Sequence, residues 1–241
     1  MRAFVLAGGR GTRFGDFSKF MPKSLLPLPT GETLLSRLLF QLGQAGICDI
    51  VISTRPELKL AFDCCVDTLL QSEMGKAMRI SVLSNSEHAV GPVPALARAV
   101  KESTLKRSLL CLPDIYYARN PFISSLMPRG FAVSLLVGPV KDGRSGFVRV
   151  SGTRVVDVQY VLSGTADRCQ EGYNWTGAAI MNVDALLELI AFSNVAEDAP
   201  LDDFFNRLAI QSRSVTWFFC GPFVNVNSFE SLIECASLQG S

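Results

Sequence analysis

The sequence predicts an α/β fold: a mostly parallel sheet with helices on both faces and a smaller antiparallel lobe. Three observations carry this expectation. Short apolar runs rich in β-branched and aromatic residues recur through the first half, segments with helical spacing separate them, and past Gly138 the pattern turns to alternation across a tight turn. At 241 residues, with 48% hydrophobic and 19% charged side chains, the chain can bury a substantial core, which excludes disorder as its main state.

Taken in order, Ala3 to Leu6, Ile50 to Ser53, Ile80 to Leu83 and Leu109 to Leu112 read as buried strands. Between them, Thr33 to Gly46, Glu57 to Met74 and Pro94 to Ser103 carry helical spacing. The first half is therefore a repeated β-α pattern, the arrangement of a Rossmann-like sheet. Ala132 to Val137 is a further strand, and Gly146 to Val150 and Arg154 to Val161 alternate on either side of Ser151-Gly152-Thr153 as a β-hairpin does. Asp184 is placed to cap a helix reaching Phe192, Leu201 to Ile210 reads as another, Val215 to Cys220 as a last core strand, and Ser228 to Leu238 as a closing helix. No internal repeat or low-complexity linker interrupts this order. The expected organisation is one domain over residues 1–241, with its halves meeting near residues 130 and 131.

Charge and cysteine usage narrow the function classes. Net charge is only +1 and the basic residues are scattered, so the sequence lacks the basic stripe that a polymeric nucleic acid requires. Seven cysteines, at Cys48, Cys64, Cys65, Cys111, Cys169, Cys220 and Cys235, form no Cys-x-x-Cys pair and no disulfide framework, and read as reduced thiols. No apolar stretch approaches the roughly 20 residues of a membrane span, and the N-terminal pattern is not that of a signal peptide. The expectation is a cytoplasmic protein with no membrane and no nucleic-acid partner; homo-oligomerisation stays open.

The chemistry concentrates directly after the first strand, in Leu6-Ala7-Gly8-Gly9-Arg10-Gly11-Thr12-Arg13. Three glycines within four positions remove the side chains that keep a bulky anion off the backbone, so backbone N–H groups can line a phosphate-sized hollow. Arg13 adds a planar fork suited to two phosphate oxygens, and Lys23, just after Pro22, a compact cation. The combination is a grip for a nucleoside triphosphate. It is not a Walker A loop, which ends Gly-Lys-Ser/Thr where this one ends Gly11-Thr12-Arg13. Nor is it a dinucleotide fingerprint, since Gly15 comes one place too late after Gly11.

Leu-Ala-Gly-Gly-x-Gly-Thr-Arg-Phe, followed by Pro22-Lys23-Ser24-Leu25-Leu26-Pro27, resembles the bipartite signature of the sugar-phosphate nucleotidyltransferases, also called nucleoside-diphosphate-sugar pyrophosphorylases. The resemblance implies nucleotide contacts from Leu6, Ala7, Gly8, Gly9, Gly11, Thr12, Arg13 and Lys23, with Arg13 and Lys23 as the catalytic pair. It implies a Mg²⁺ cofactor held by Asp114, which follows the strand Leu109 to Leu112, and by Asn225, which stands where relatives carry a second aspartate. An oxygen-ligand set at a strand's carboxyl edge suits a hard divalent cation. Ser86 and Gly91 fall in the segment that relatives use for the base. Gly146, Asn174, Thr176 and Gly177 fall in the two segments that line the acceptor, a phosphorylated small molecule.

This chain departs from the family pattern at three places. Pro113 replaces the usual glycine before the metal aspartate, Asn225 removes one negative charge, and Val158-Gln159-Tyr160-Val161 stands where a Glu-Lys-Pro is expected. The activity implied is transfer of a nucleotidyl group to a sugar 1-phosphate in the antiparallel, substrate-binding lobe. Two other readings stay open. A phosphocholine-type cytidylyltransferase is favoured by Pro22-Lys23-Ser24 and would be supported by convergence of Tyr116, Tyr160, Tyr173 and Trp175 into a cage. A catalytically weak regulatory homologue is favoured by the three departures. His88, the sole histidine, has no proton to move in such a transfer and reads as a loop residue.

Overall fold

A computed structural model of the chain describes residues 1–9, 14–15, 21–84, 91–104, 106–124, 130–140, 145–161, 172–194, 200–212 and 214–238. The first half runs β1 (Arg2–Leu6), α1 (Leu34–Gln44), β2 (Asp49–Thr54), α2 (Lys59–Leu70), β3 (Arg79–Ser84), α3 (Pro92–Lys101) and β4 (Ser108–Cys111), the β-α alternation that the apolar spacing implies. The chain continues through β5 (Ile115–Tyr117), β6 (Val133–Gly138), β7 (Ser145–Ser151), β8 (Arg154–Val161), β9 (Gly172–Met181), α4 (Val183–Ser193), α5 (Leu201–Ser212), β10 (Val215–Phe219), β11 (Phe223–Asn225) and α6 (Phe229–Ser237).

Local chemistry sets the helix starts. Thr33 accepts from the Ser36 N–H through its hydroxyl while Ser36 accepts from the Thr33 N–H, a reciprocal cap that satisfies two orphan donors of α1. The stripe Leu35, Leu38, Leu39 and Leu42 is then buried against the sheet, each side chain contributing on the order of 2 kcal/mol relative to exposure. Asn182, not Asp184, caps α4, two residues earlier than expected because its side chain accepts from the Ala185 N–H, and Ser228 caps α6 with the same reciprocal pattern as α1.

Nine strands form one sheet in the order β3-β2-β1-β4-β9-β6-β10-β8-β7. The expectation of a mostly parallel sheet needs correction, because only β3, β2, β1 and β4 make a continuous parallel block and the sheet as a whole is mixed. β9 enters antiparallel between β4 and β6 and also pairs with β7, closing β9-β6-β10-β8-β7 on itself like a small barrel. β9 carries no period-two signal because it is buried on both faces from Asn174 to Met181. The three-residue strands β5 and β11 pair only with each other and are too short to show a pattern.

Helices cover both faces. α3, α4 and α5 bury Leu96, Leu186 and Phe205 on one side, and α1 and α2 bury Leu38 and Phe62 on the other. The crossovers through α1 and α2 therefore lie on one face and that through α3 on the opposite face. Strand order reverses between β1 and β4, which opens a crevice at their carboxyl ends, the place where such sheets receive ligands. A third apolar cluster, containing Leu26, Leu28, Leu34, Tyr116, Val224 and Leu232, pins the segment after Lys23 and the β5–β11 ladder beside that crevice. Among the described residues no helix is long and apolar enough to cross a membrane.

Candidate active site

The glycine loop begins where the sheet releases the backbone. Leu6 and Ala7 are buried; the Ala7 N–H donates to Ser53 O at 2.8 Å and Thr54 Oγ1 donates to Ala7 O at 3.4 Å, so the chain is tied to β2 one residue past β1. Gly8 is then half-buried and Gly9 exposed, with open space beside Gly9 for a bound group. Gly11, Thr12 and Arg13 lie outside the described residues, as do Ser86 and His88. Gly91 precedes the first turn of α3, so the Gly91 and Val93 N–H groups, the donors that Pro92 and Pro94 leave in that turn, sit at the same carboxyl edge.

Lys23 opens a single turn of 3-10 helix, Lys23–Leu25, held by the buried Ser24 on one side and by the buried Leu26 and Leu28 on the other. Its ammonium forms an ion pair with Asp114 and donates to Asn227 Oδ1 at 3.2 Å. The Lys23 and Asp114 side chains are only 19% and 17% exposed, so their attraction is screened less than that of a surface pair. A residue remote in sequence is thereby fixed at the end of β4, next to the glycine loop that leaves β1.

Asp114 and Asn225 meet through the β5–β11 ladder, in which Ile115 faces Asn225 and the Val226 N–H donates to Asp114 O at 2.8 Å. Asp114 Oδ1 and Asn225 Oδ1 are both buried and both without a hydrogen-bond partner. An unpartnered buried oxygen costs about 1–3 kcal/mol, so two at neighbouring ladder positions point to a group that they are built to hold. One carboxylate and one amide oxygen fit Mg²⁺, which takes few protein ligands and completes its shell with phosphates and water. Among the described residues no group of three His, Cys, Asp or Glu side chains could hold a metal.

Thr176 and Gly177 form the bulge where the β6–β9 register shifts between Leu136 and Val137. Thr176 is fully buried: its hydroxyl donates to Leu136 O at 2.9 Å, and its carbonyl accepts from Tyr117 Oη at 2.8 Å. Burial holds the Tyr117 hydroxyl well above its ordinary pKa, so it stays a donor. Gly177 has φ +72°, and its carbonyl accepts from the Leu112 N–H at 2.9 Å. A Cβ there would stand 3.0 Å from Leu112 and 3.1 Å from Ile115, on either side of Asp114. The bulge thus aims the segment that presents Asp114. Gly177→Ala is expected to cost about 1–3 kcal/mol and to lower turnover with it, as melting temperature and initial rate would show. An unchanged melting temperature would exclude this role.

The half in which an acceptor is expected surrounds Gly146. A methyl group at that position would stand 2.5 Å from Asp202 Oδ1 and 3.5 Å from Trp175 Cβ. Tyr160 is its cross-strand partner, and Asn174 is buried opposite Phe147 and Gly138. Of the four rings that could form a cage, three are engaged by other neighbours. Tyr116 lies under the Arg37 guanidinium at 4.4 Å, Tyr173 stacks on Trp217 at 4.8 Å, and Trp175 packs edge-on to Phe205 while its Nε1 donates to Ala178 O.

Sequence reasoning missed Asn227 and Asp202. Asn227 reads as a turn residue before a capped helix, and Asp202 beside Asp203 reads as ordinary first-turn acid. Neither the Lys23 contact nor the burial of Asp202 leaves a local signal.

The family model for the MobA-like NTP transferase domain matches residues 3–169. No curated protein sequence matches the chain. Among solved structures, the fold is similar to that of a Bacillus anthracis protein assigned as a glucose-1-phosphate thymidylyltransferase, with TM-score 0.82, 19% identity, 99% of this chain covered and 95% of that one. It is also similar to the inositol-1-phosphate CTP transferase from T. maritima, with TM-score 0.81, 18% identity and coverage of 99% and 94%. The CTP:phosphocholine cytidylyltransferase from Streptococcus pneumoniae superposes with TM-score 0.77, 18% identity and coverage of 98% of each chain. At these identities the likeness concerns the fold.

Proposed function

The chain belongs to the MobA-like NTP transferase domain family, and from that premise we propose that it transfers a nucleotidyl group from a nucleoside triphosphate to a sugar 1-phosphate. A phosphate oxygen of the acceptor attacks the α-phosphorus, a new P–O bond forms, the bond to the β-phosphate oxygen breaks, and pyrophosphate leaves. The attacking oxygen is already anionic, so placement and charge neutralisation are the whole task of the protein. The observation that carries this reading is the convergence of Lys23, Asp114 and the released glycine backbone at the β1–β4 switch point.

The glycines from Gly8 onward cradle the phosphates and Arg13 steadies the departing pyrophosphate, while the α3 N-terminus behind Gly91 faces the nucleotide with Ser86. Lys23 offsets charge at the α-phosphorus, exchanging its resting contact with Asp114 for a phosphate oxygen. Asp114 and Asn225 are the residues that would hold Mg²⁺, which when bound supplies charge neutralisation along the triphosphate. Gly146 and Asn174 line the acceptor side, with Thr176 and Gly177 setting the bulge behind them.

The test is pyrophosphate release across the four common triphosphates, each paired with a panel of sugar 1-phosphates, inositol 1-phosphate and phosphocholine, with Mg²⁺ present. Release with a sugar 1-phosphate is expected. Tight nucleotide binding without release from any pair would replace this reading with a regulatory one.

A further inference from the structure

Asp202 has a burial that its place on α5 does not explain. Acidic residues in a first helical turn favour the helix dipole from the surface, and Asp203 does so, exposed to solvent. Asp202 is only 8% exposed, its Oδ1 is buried without a hydrogen-bond partner, and it stands over Gly146. Burial first, and then the neighbouring Asp203, push its carboxyl up to about 6. A chain selected for stability alone has no use for such a group, since an amide or apolar side chain removes the cost of burying it. Its surroundings fit a recognition group: the missing Cβ of Gly146 lets Oδ1 lie directly on the β7 backbone, Trp175 lies beside that glycine, and Tyr160, half exposed, is its partner across the β7–β8 ladder. Gln159, the neighbour of Tyr160 in β8, is already engaged, donating to Asp157 Oδ2 at 2.6 Å.

We propose that Asp202 reads the acceptor, its carboxylate accepting a hydrogen bond from a donor group on the end of the acceptor remote from the phosphate. This rests on the nucleotidyl-transfer reading, because Gly146 then lies in the acceptor pocket. The shared chemistry is a donor that a carboxylate can take in a site poor in water, either a sugar or cyclitol hydroxyl or a protonated amine. Desolvation of both partners gives the contact its selectivity: an acceptor lacking the donor leaves Oδ1 unpaired.

The experiment is equilibrium binding by titration calorimetry on the full chain with a non-hydrolysable triphosphate present. The probes are glucose 1-phosphate, inositol 1-phosphate, phosphoethanolamine and phosphocholine. The first pair tests the hydroxyl and the third the amine, and phosphocholine, which has no donor at its head, is expected to bind most weakly. Asp202→Asn and Asp202→Ala are expected to weaken the preferred acceptor by about tenfold or more and to leave triphosphate affinity unchanged. Asp202→Asn removes a buried charge and is expected to melt no lower than the parent, which separates lost recognition from lost fold. Equal acceptor affinity in all three proteins would overturn the proposal, as would a parent protein that binds none of the probes. Acceptor binding that depends on Asp202 in a protein that releases no pyrophosphate would leave the proposal standing and remove the transfer reading instead.

Discussion

Lys23→Ala is expected to lower turnover on the order of 10²-fold, with a smaller change in the Michaelis constant for the triphosphate. The reason is positional. The ammonium is held at the switch point by Asp114 and Asn227, and the turn that carries it is clamped by Leu26 and Leu28 in a cluster shared with the β5–β11 ladder. A charge so placed needs no reorganisation when negative charge redistributes around the α-phosphorus, which is where such groups act most strongly. Lys23→Arg is expected to rescue little, because a planar fork cannot meet Asp114 and Asn227 from the position of a point cation. Steady-state pyrophosphate release checks both variants. Undiminished turnover in Lys23→Ala would remove Lys23 from the catalytic pair.

What the sequence discloses and what it hides follow from where each signal lives. The glycine loop and the Pro22-Lys23-Ser24 segment are legible because their chemistry is local: a run of glycines after a strand and a cation just past a proline are visible in one window of sequence. The parallel block is legible for the same reason, since each buried strand is a short apolar run between helical periods. β9 is not, because a strand buried on both faces by long-range pairing with β4, β6 and β7 has no alternation to read. The two orphan oxygens at Asp114 and Asn225 come together only through a three-residue ladder between segments about 110 residues apart. Asp202 shows the limit most plainly: the same dipeptide places one carboxylate in water and the other in the interior, and nothing in the letters Asp-Asp distinguishes them.

Asp114→Asn is expected to lower turnover by at least about two orders of magnitude and to destabilise the protein at the same time. Two separate losses produce the effect. The first is the one carboxylate of the proposed pair of oxygen ligands: with an amide at both positions the site keeps its oxygens and loses its charge, so divalent-cation affinity falls. Mn²⁺ binding followed by electron paramagnetic resonance reads that loss without any turnover. The second is the counterion of Lys23, whose ammonium then has amide oxygens to donate to but no opposite charge beside it, at a cost of about 1–3 kcal/mol. Thermal unfolding separates this term, because the double variant Lys23→Met, Asp114→Asn removes the stranded cation and is expected to recover stability without recovering activity. Asn225→Asp runs in the opposite direction, restoring a second carboxylate beside Asp114 and lowering the Mg²⁺ concentration needed for half-maximal rate. If Asp114→Asn binds Mn²⁺ as the parent does, Asp114 serves Lys23 alone, and the carboxylate belongs to the positioning of the catalytic cation rather than to a metal.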